Sequence, residues 1–183
     1  AAPVMMRELG WSEALFGVIF SAFLWGYTII QLPGGYLADR FGGKLIPYLC
    51  LGWSIATFLT PFGAASFYLM LALRFLVGAF EAPIVPAMSI TNAAWIPRHE
   101  LARAQTIIPA ALNAGIMLGY PLVTSVTGAF GWPAVFYLCG GIGIIWAFIW
   151  MWDGRGTPEE HPSVSSDELA YIQAERVKPL SEH

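Results

Sequence analysis

Five apolar stretches, each long enough to cross a lipid bilayer, constrain the fold of this chain more than any other feature. A helix needs about 18 to 20 apolar residues to cross a hydrocarbon layer roughly 30 Å thick. The stretches cover residues 14–37, 45–62, 67–94, 105–127 and 132–152. Short connections separate them, which predicts that neighbouring helices run antiparallel in one bundle. We therefore expect an all-α, polytopic membrane protein.

The composition favours this class and excludes others. Of the 183 residues, 57% are hydrophobic and 11% are charged, whereas charged residues make up about 25% of an ordinary soluble domain. The net charge of -3 gives no reason to expect a nucleic-acid partner. Cys50 and Cys139 lie in apolar stretches, where a thiol behaves as a small hydrophobic group, so we expect no disulfide.

The basic residues predict the orientation of the helices. Loops rich in Lys and Arg stay in the cytoplasm, and here those loops are residues 39–44, 96–104 and 153–183. Arg7 then lies outside and Arg74 lies in the membrane. The basic residues on the cytoplasmic side are Arg40, Lys44, Arg98, Arg103, Arg155, Arg176 and Lys178. An outside N-terminus without a recognisable signal peptide leads us to expect a further helix before residue 1.

The polar segment after the last stretch contains a helix-start signal. In "SVSSDELAYIQAERV", Ser165 stands three residues before Glu168, as in a capping box. Leu169, Ile172 and Val177 follow at helical spacing. We expect a short amphipathic helix against the cytoplasmic face, the alternative being a solvated linker.

Two charged residues, Arg74 and Glu81, interrupt the third apolar stretch in "RFLVGAFEAPIVP". A charge at the bilayer centre costs about 2.5 to 3.5 kcal/mol on insertion scales, so both side chains should face protein or water. Seven residues are close to two helical turns, which places them on one face of the helix. Pro83 and Pro86 follow directly and should bend the helix beside them.

The pair has two interpretations. It is either an internal ion pair that fixes helix packing or a binding site. The Arg74 guanidinium offers a planar fork for a carboxylate and keeps its charge, whereas Glu81 can exchange a proton. An anion bound at Arg74 would favour protonation of Glu81, and by linkage the proton would favour the anion. Proton-coupled anion symport requires this reciprocity.

The segment "GGYLADRFGGK", residues 34–44, resembles the cytoplasmic signature of major facilitator superfamily transporters. The matching positions are Gly35, Asp39, Arg40, Gly42 and Lys44. Gly43 departs from the pattern, which often has a basic residue there. The segments "RFLVGAFEAPIVPA", "WIPRHELARAQ" and "HPSVSSDELAYI" resemble the anion:cation symporters of that superfamily, which include bacterial hexuronate, galactonate and glucarate carriers.

This resemblance implies a major facilitator fold in which the chain supplies five of twelve helices, the second to the sixth. Residues 1–152 would be the bundle of the N-terminal half, and residues 153–183 the cytoplasmic central loop. The implied activity is proton-driven symport of an organic anion, such as a sugar acid, by alternating access. The protein would be a monomer in the bacterial inner membrane, without cofactor or metal, and sodium remains an alternative coupling ion.

The resemblance also implies roles for individual residues. Arg74 and Tyr27 would contact substrate, and Glu81 would carry the coupling proton. Asp39 would contact a helix N-terminus in the other half of the transporter, and the whole signature, with Gly35, Arg40, Gly42 and Lys44, would gate the conformational change.

Two amide side chains are further candidates for substrate contact. Gln31 lies one turn after Tyr27 on the same helix face, although a helix-to-helix hydrogen bond is an equal alternative for it. Sugar-acid carriers often have glutamine at the position of Leu112. Its neighbour Asn113 either supplies the missing amide, or bonds another helix while the pocket takes a less hydroxylated anion.

Functions of other classes remain as alternatives. A membrane enzyme is disfavoured because His99, His161 and His183 lie outside the apolar stretches and lack matching ligands. A non-transporting scaffold or sensor on the same fold, or a passive anion facilitator, stays open. Substrate-dependent proton movement would distinguish these from a symporter.

Overall fold

The computed structural model describes residues 2–174, and within that range the chain forms helices and no strand. The α-helices are α1 (Ala2–Leu9), α2 (Glu13–Phe41), α3 (Ile46–Phe58), α4 (Phe67–Glu81), α5 (Ile84–Trp95), α6 (Arg98–Phe130), α7 (Trp132–Asp153) and α8 (Ser166–Ala174). Three short 3-10 turns lie at Gly42–Leu45, Thr60–Ala65 and Pro158–Glu160. The predicted all-α fold is confirmed.

Four helical stretches in the described part are long and apolar enough to cross a membrane. They cover Glu13–Phe58, Phe67–Trp95, Arg98–Phe130 and Trp132–Asp153. The first contains both α2 and α3, with a 3-10 turn between them. Contacts with α4, described next, show that the chain reverses at this turn, so the first stretch makes two passes.

Helices α2 and α4 run parallel and cross very closely. A Cβ atom at Gly26 of α2 would collide with the backbone carbonyl of Phe75 in α4, and one at Gly34 would lie 2.6 Å from Pro83 Cγ. Residues later in α2 thus contact residues later in or just after α4, as parallel packing requires. Small residues permit this approach, and they characterise helix interfaces in membranes.

Helix α3 runs antiparallel to α4 and packs on its other side against α7. A Cβ at Gly52 would lie 2.5 Å from the ring of Phe80, whereas Thr60, later in the chain, contacts the earlier Arg74. On α7, a Cβ at Gly140 would lie 2.7 Å from the backbone nitrogen of Phe58. The predicted antiparallel order of neighbouring passes therefore holds for α2, α3 and α4.

The connections gather at the two ends of the bundle. At one end, Lys44 Nζ contacts Glu160 Oε1 at 2.6 Å, and Trp95 Nε1 donates to the Arg155 carbonyl at 3.3 Å. At the other end, Trp132 Nε1 donates to Glu8 Oε2 at 2.7 Å. Connections that the sequence assigns to the cytoplasm therefore share one end.

Several helix bounds differ from those expected from hydropathy. Helix α2 continues to Phe41 rather than ending near residue 37, and Gly42, with φ +53°, ends it. Helix α6 spans Arg98–Phe130 rather than 105–127. The apolar run marks the part of a helix inside hydrocarbon, whereas polar helical turns continue beyond it. The third stretch divides at residues 82–83, next to the prolines expected to bend it.

Two helices lie outside the predicted membrane stretches. Helix α1 was not predicted, and its Met5 joins Phe16, Met70 and Trp132 in a buried cluster. Helix α8 was predicted, and Ser165 Oγ accepts from the Glu168 backbone nitrogen at 3.2 Å, as its capping-box sequence suggests. Its Ile172 is buried. The predictions for Arg176, Val177, Lys178 and His183 lie outside the described residues.

Candidate functional site

Arg74 lies in the middle of α4, and two neighbouring elements hold its guanidinium. Nη2 donates a hydrogen bond to Thr60 Oγ1 at 3.0 Å. The ring of Phe136 on α7 lies against the guanidinium, with 5.2 Å between Cζ and the ring centroid. The side chain is half-buried. A charge in the membrane thus faces protein, as its cost in lipid demands.

An apolar cavity of about 190 Å³ adjoins Arg74. Side chains of α1, α2, α4 and α7 form its wall, among them Met5, Phe16, Met70 and Phe136. Among the described residues that line it, Arg74 is the only charged one. A cation in such surroundings attracts an anion more strongly than it would in water, because the local dielectric constant is lower.

Glu81 is the last residue of α4 and is also half-buried. Within residues 2–174, neither a hydrogen bond nor an ion pair connects it to Arg74. The two turns between them correspond to about 10 Å along the helix axis, which separates their charged groups. The interpretation of Arg74 and Glu81 as a direct ion pair that fixes helix packing therefore does not agree with this geometry.

The backbone of Tyr27 on α2 lies against the part of α4 between the two charged residues. A Cβ atom at Gly78, between Arg74 and Glu81 on α4, would lie 3.0 Å from the Tyr27 backbone nitrogen. The α2 and α4 crossing thus places the Tyr27 backbone beside the α4 segment that carries Arg74 and Glu81. Gln31, one turn later on α2, is exposed.

Asn113 is not brought to this region. It is exposed on α6, none of whose residues is fully buried, and its Nδ2 donates to the Pro109 carbonyl in the same helix at 2.9 Å. The structure therefore contains neither the substrate-site contact nor the cross-helix bond that the sequence suggested for Asn113.

The signature residues lie at the end of the bundle that holds the basic connections. Gly35, Asp39 and Arg40 belong to α2, and Gly42 ends that helix. Asp39 is exposed, and no hydrogen bond or ion pair of its side chain occurs among the described residues. Lys44 contacts Glu160, as described above.

Sequence reasoning missed Thr60, Phe136 and the contribution of α1 to the cavity. Thr60 carried a usable signal, because a buried arginine needs polar partners on adjacent helices. Phe136 is one of many aromatic residues in α7, and its sequence context offers no comparable signal.

The helical architecture, the paired α2 and α4 helices and the signature at one end of the bundle fit one family. A family model described as Major Facilitator Superfamily matches residues 1–181. The chain belongs to the major facilitator superfamily. The superfamily predicted from the sequence is thereby confirmed, and this major facilitator chain is an integral membrane protein.

Curated relatives of this major facilitator chain are named as transporters and not as enzymes. A probable galactarate/D-glucarate transporter of Bacillus subtilis (strain 168) is 41% identical over 177 residues, covering 92% of this chain and 38% of the relative. One of the same name from Escherichia coli (strain K12) is 38% identical over 180 residues, covering 95% and 40%. A chloroplastic ascorbate transporter of Arabidopsis thaliana is 35% identical over 170 residues, covering 92% and 31%.

The chain therefore spans less than half the length of each of these relatives. Their names agree with the resemblance to anion:cation symporters. They also extend beyond bacteria, since one belongs to a plant chloroplast.

Proposed function

We propose that this chain is the anion-binding and proton-binding part of a symporter that carries an organic anion across the membrane by alternating access. The observation that carries the proposal is the environment of the Arg74 guanidinium. Its guanidinium is fixed by Thr60 and Phe136, borders a cavity and forms no ion pair with Glu81. A fixed cation without a paired carboxylate is suited to bind a carboxylate from outside the chain.

The substrate in this proposal is a sugar acid of the hexuronate, aldonate or glucarate type. Arg74 binds its carboxylate, and Tyr27 and Gln31 supply hydrogen bonds to its hydroxyl groups. The names of the two bacterial relatives support this class, and the plant relative makes ascorbate a useful comparison.

Glu81 carries the coupling proton in this proposal. A bound anion places negative charge near Glu81 and so favours its protonated form. The proton in turn neutralises Glu81 and favours the anion, because coupling between two binding events is reciprocal. Proton and substrate therefore cross together.

The signature at the cytoplasmic end gates the cycle. Asp39 is exposed there and is free to approach another part of the transporter, such as a helix N-terminus, where a carboxylate is stabilised. Gly35, Arg40, Gly42 and Lys44 shape the same end. We place this end in the cytoplasm and the protein in a bacterial cytoplasmic membrane.

Uptake into proteoliposomes tests the proposal. The full-length protein is reconstituted, and uptake of labelled D-glucarate is measured with and without an inward proton gradient for wild type, Arg74→Ala and Glu81→Gln. We expect gradient-driven uptake by wild type and loss of D-glucarate binding in Arg74→Ala. Glu81→Gln should still exchange D-glucarate but no longer concentrate it.

Other outcomes would identify the alternatives. Uptake that does not depend on the proton gradient but depends on a sodium gradient would assign sodium as the coupling ion. Uptake that follows neither gradient would indicate a facilitator. Absence of uptake and binding for D-glucarate, galactarate, ascorbate and phosphate would favour a scaffold or sensor. Normal transport by both variants would show that Arg74 and Glu81 have only a structural role.

A further inference from the structure

We infer that Thr60 is a positioning residue for anion binding, because it fixes the direction in which the Arg74 guanidinium presents its free N–H groups. The inference rests on the proposed role of Arg74 and extends it to a second element, the 3-10 turn Thr60–Ala65. It assigns to Thr60 no direct contact with the anion.

The hydrogen bonds of Thr60 have a defined direction. A threonine hydroxyl has one hydrogen to donate and two lone pairs that accept. Thr60 Oγ1 donates its hydrogen to the Ala56 carbonyl at 3.0 Å. Its lone pairs therefore remain for Arg74 Nη2, which donates at 3.0 Å. The hydroxyl thus acts only as an acceptor toward the guanidinium.

Burial makes this arrangement rigid. Thr60 has an exposed fraction of 0%, so water does not compete for its hydroxyl. The Phe136 ring, 5.2 Å from Cζ, lies against the planar group. One N–H is fixed by Thr60 and the plane is constrained by Phe136. Among the described residues, the other N–H groups of Arg74 have no hydrogen-bond acceptor.

A guanidinium fixed in this way binds a carboxylate with less loss of side-chain entropy than a free one. Arginine has much rotamer freedom, and a binding site that has already restricted it gains affinity. Removal of the Thr60 hydroxyl should release this restriction and also leave one N–H of a half-buried charge without its acceptor. Affinity for the anion should fall, whereas the rate of the conformational cycle should change little.

The test compares Thr60→Val, which keeps the shape and removes the hydroxyl, with Thr60→Ser, which keeps the hydroxyl. Thr91→Val is the matched control, because Thr91 is also buried and also donates to the carbonyl four residues earlier, Ala87, at 2.8 Å. No guanidinium bonds to Thr91 in the described part of the chain. Uptake of labelled D-glucarate by the full-length protein is measured for each variant, per amount of monodisperse protein.

We expect Thr60→Val to raise KM for D-glucarate roughly ten-fold, the size expected when binding must also immobilise one long side chain that was fixed before. Its kcat should stay within about two-fold of wild type. Thr60→Ser should restore KM, and Thr91→Val should leave it unchanged. Thr60→Ala replaces Thr60→Val if the latter does not fold.

Arg74→Ala separates the two levels of the argument. If Arg74→Ala abolishes D-glucarate binding while Thr60→Val and Thr60→Ala have wild-type KM, the inference about Thr60 is wrong and the role of Arg74 stands. A fall in kcat without a change in KM also contradicts it. If Arg74→Ala transports normally, the proposed function of Arg74 fails first.

Discussion

Arg74 shows how a membrane helix accommodates a charge at the scale of one residue. An unpaired guanidinium in hydrocarbon is costly, and here a hydroxyl and an aromatic face on other elements compensate for it. Both partners are neutral. They therefore stabilise the arginine without cancelling its charge, which leaves the charge available for a ligand.

The identity of this cation should matter as much as its charge. Lysine lacks the planar fork that binds a carboxylate with two hydrogen bonds and the flat face that stacks on an aromatic ring. We expect Arg74→Lys to lower kcat/KM for D-glucarate about 100-fold in reconstituted full-length protein, the size expected for one lost hydrogen bond between charged groups. The control is Arg7→Lys on the exposed side of α1, which should transport like wild type. Equal activity of Arg74→Lys and wild type would show that charge alone is enough.

Part of this arrangement around Arg74 could be predicted from the sequence. Arg74 and Glu81 are evident because charges are rare in apolar stretches. To predict Thr60, one must know which residues face each other across the turn between α3 and α4. To predict Phe136, one must know that α7 contacts α3 and α4, and α7 is distant from both in sequence. Residue spacing predicts a shared helix face, but it does not predict which side chains bond.

At the scale of helices, two glycines allow α2 and α4 to approach within backbone contact. A Cβ atom at Gly78 would collide with the Phe23 carbonyl, and one at Gly26 with the Phe75 carbonyl. The sites are reciprocal, one on each helix. This crossing places Tyr27 beside the segment between Arg74 and Glu81, so the geometry of the candidate site depends on it.

We expect Gly78→Ala to separate α2 from α4 and to destabilise the protein by about 1 to 3 kcal/mol, as overpacking of a close contact does. The measurement is the free energy of unfolding in mixed micelles by denaturant titration. Gly17→Ala is the control on α2, because a Cβ there meets no neighbouring element within 4 Å, and it should leave stability unchanged or raise it by up to about 1 kcal/mol, since alanine favours a helix more than glycine does. Equal stability of the two variants would contradict the close crossing.

Hydropathy predicted the helices better than their ends. A bend beside Pro83 was expected because proline cannot donate a backbone hydrogen bond, and the structure has a division into α4 and α5 there. The extension of α2 to Phe41 was not expected, because the charged residues Asp39 and Arg40 suggested a loop. Helix α1 was missed because eight residues are too few to signal a membrane span, although Gly10, with φ +65°, follows its end.

At the scale of the whole molecule, the two ends of the bundle differ in charge. One end holds Arg40, Lys44, Arg98 and Arg155 together with the contact between Lys44 and Glu160. The opposite end holds α1 and the contact between Glu8 and Trp132. Because basic loops are retained in the cytoplasm, this asymmetry predicts the orientation of the entire bundle.

Cysteine labelling in intact cells measures this orientation. In a full-length background with Cys50→Ala and Cys139→Ala, single cysteines replace Phe62, at the end with α1, or Pro162, at the basic end; both residues are exposed. We expect a membrane-impermeant maleimide to label Phe62→Cys in intact cells and Pro162→Cys only after permeabilisation. The reverse pattern would invert the bundle, which would move the exposed Asp39 outside the cell and remove the proposed cytoplasmic gate. Because both ends are tested in one background, a failure of one variant to express does not decide the result.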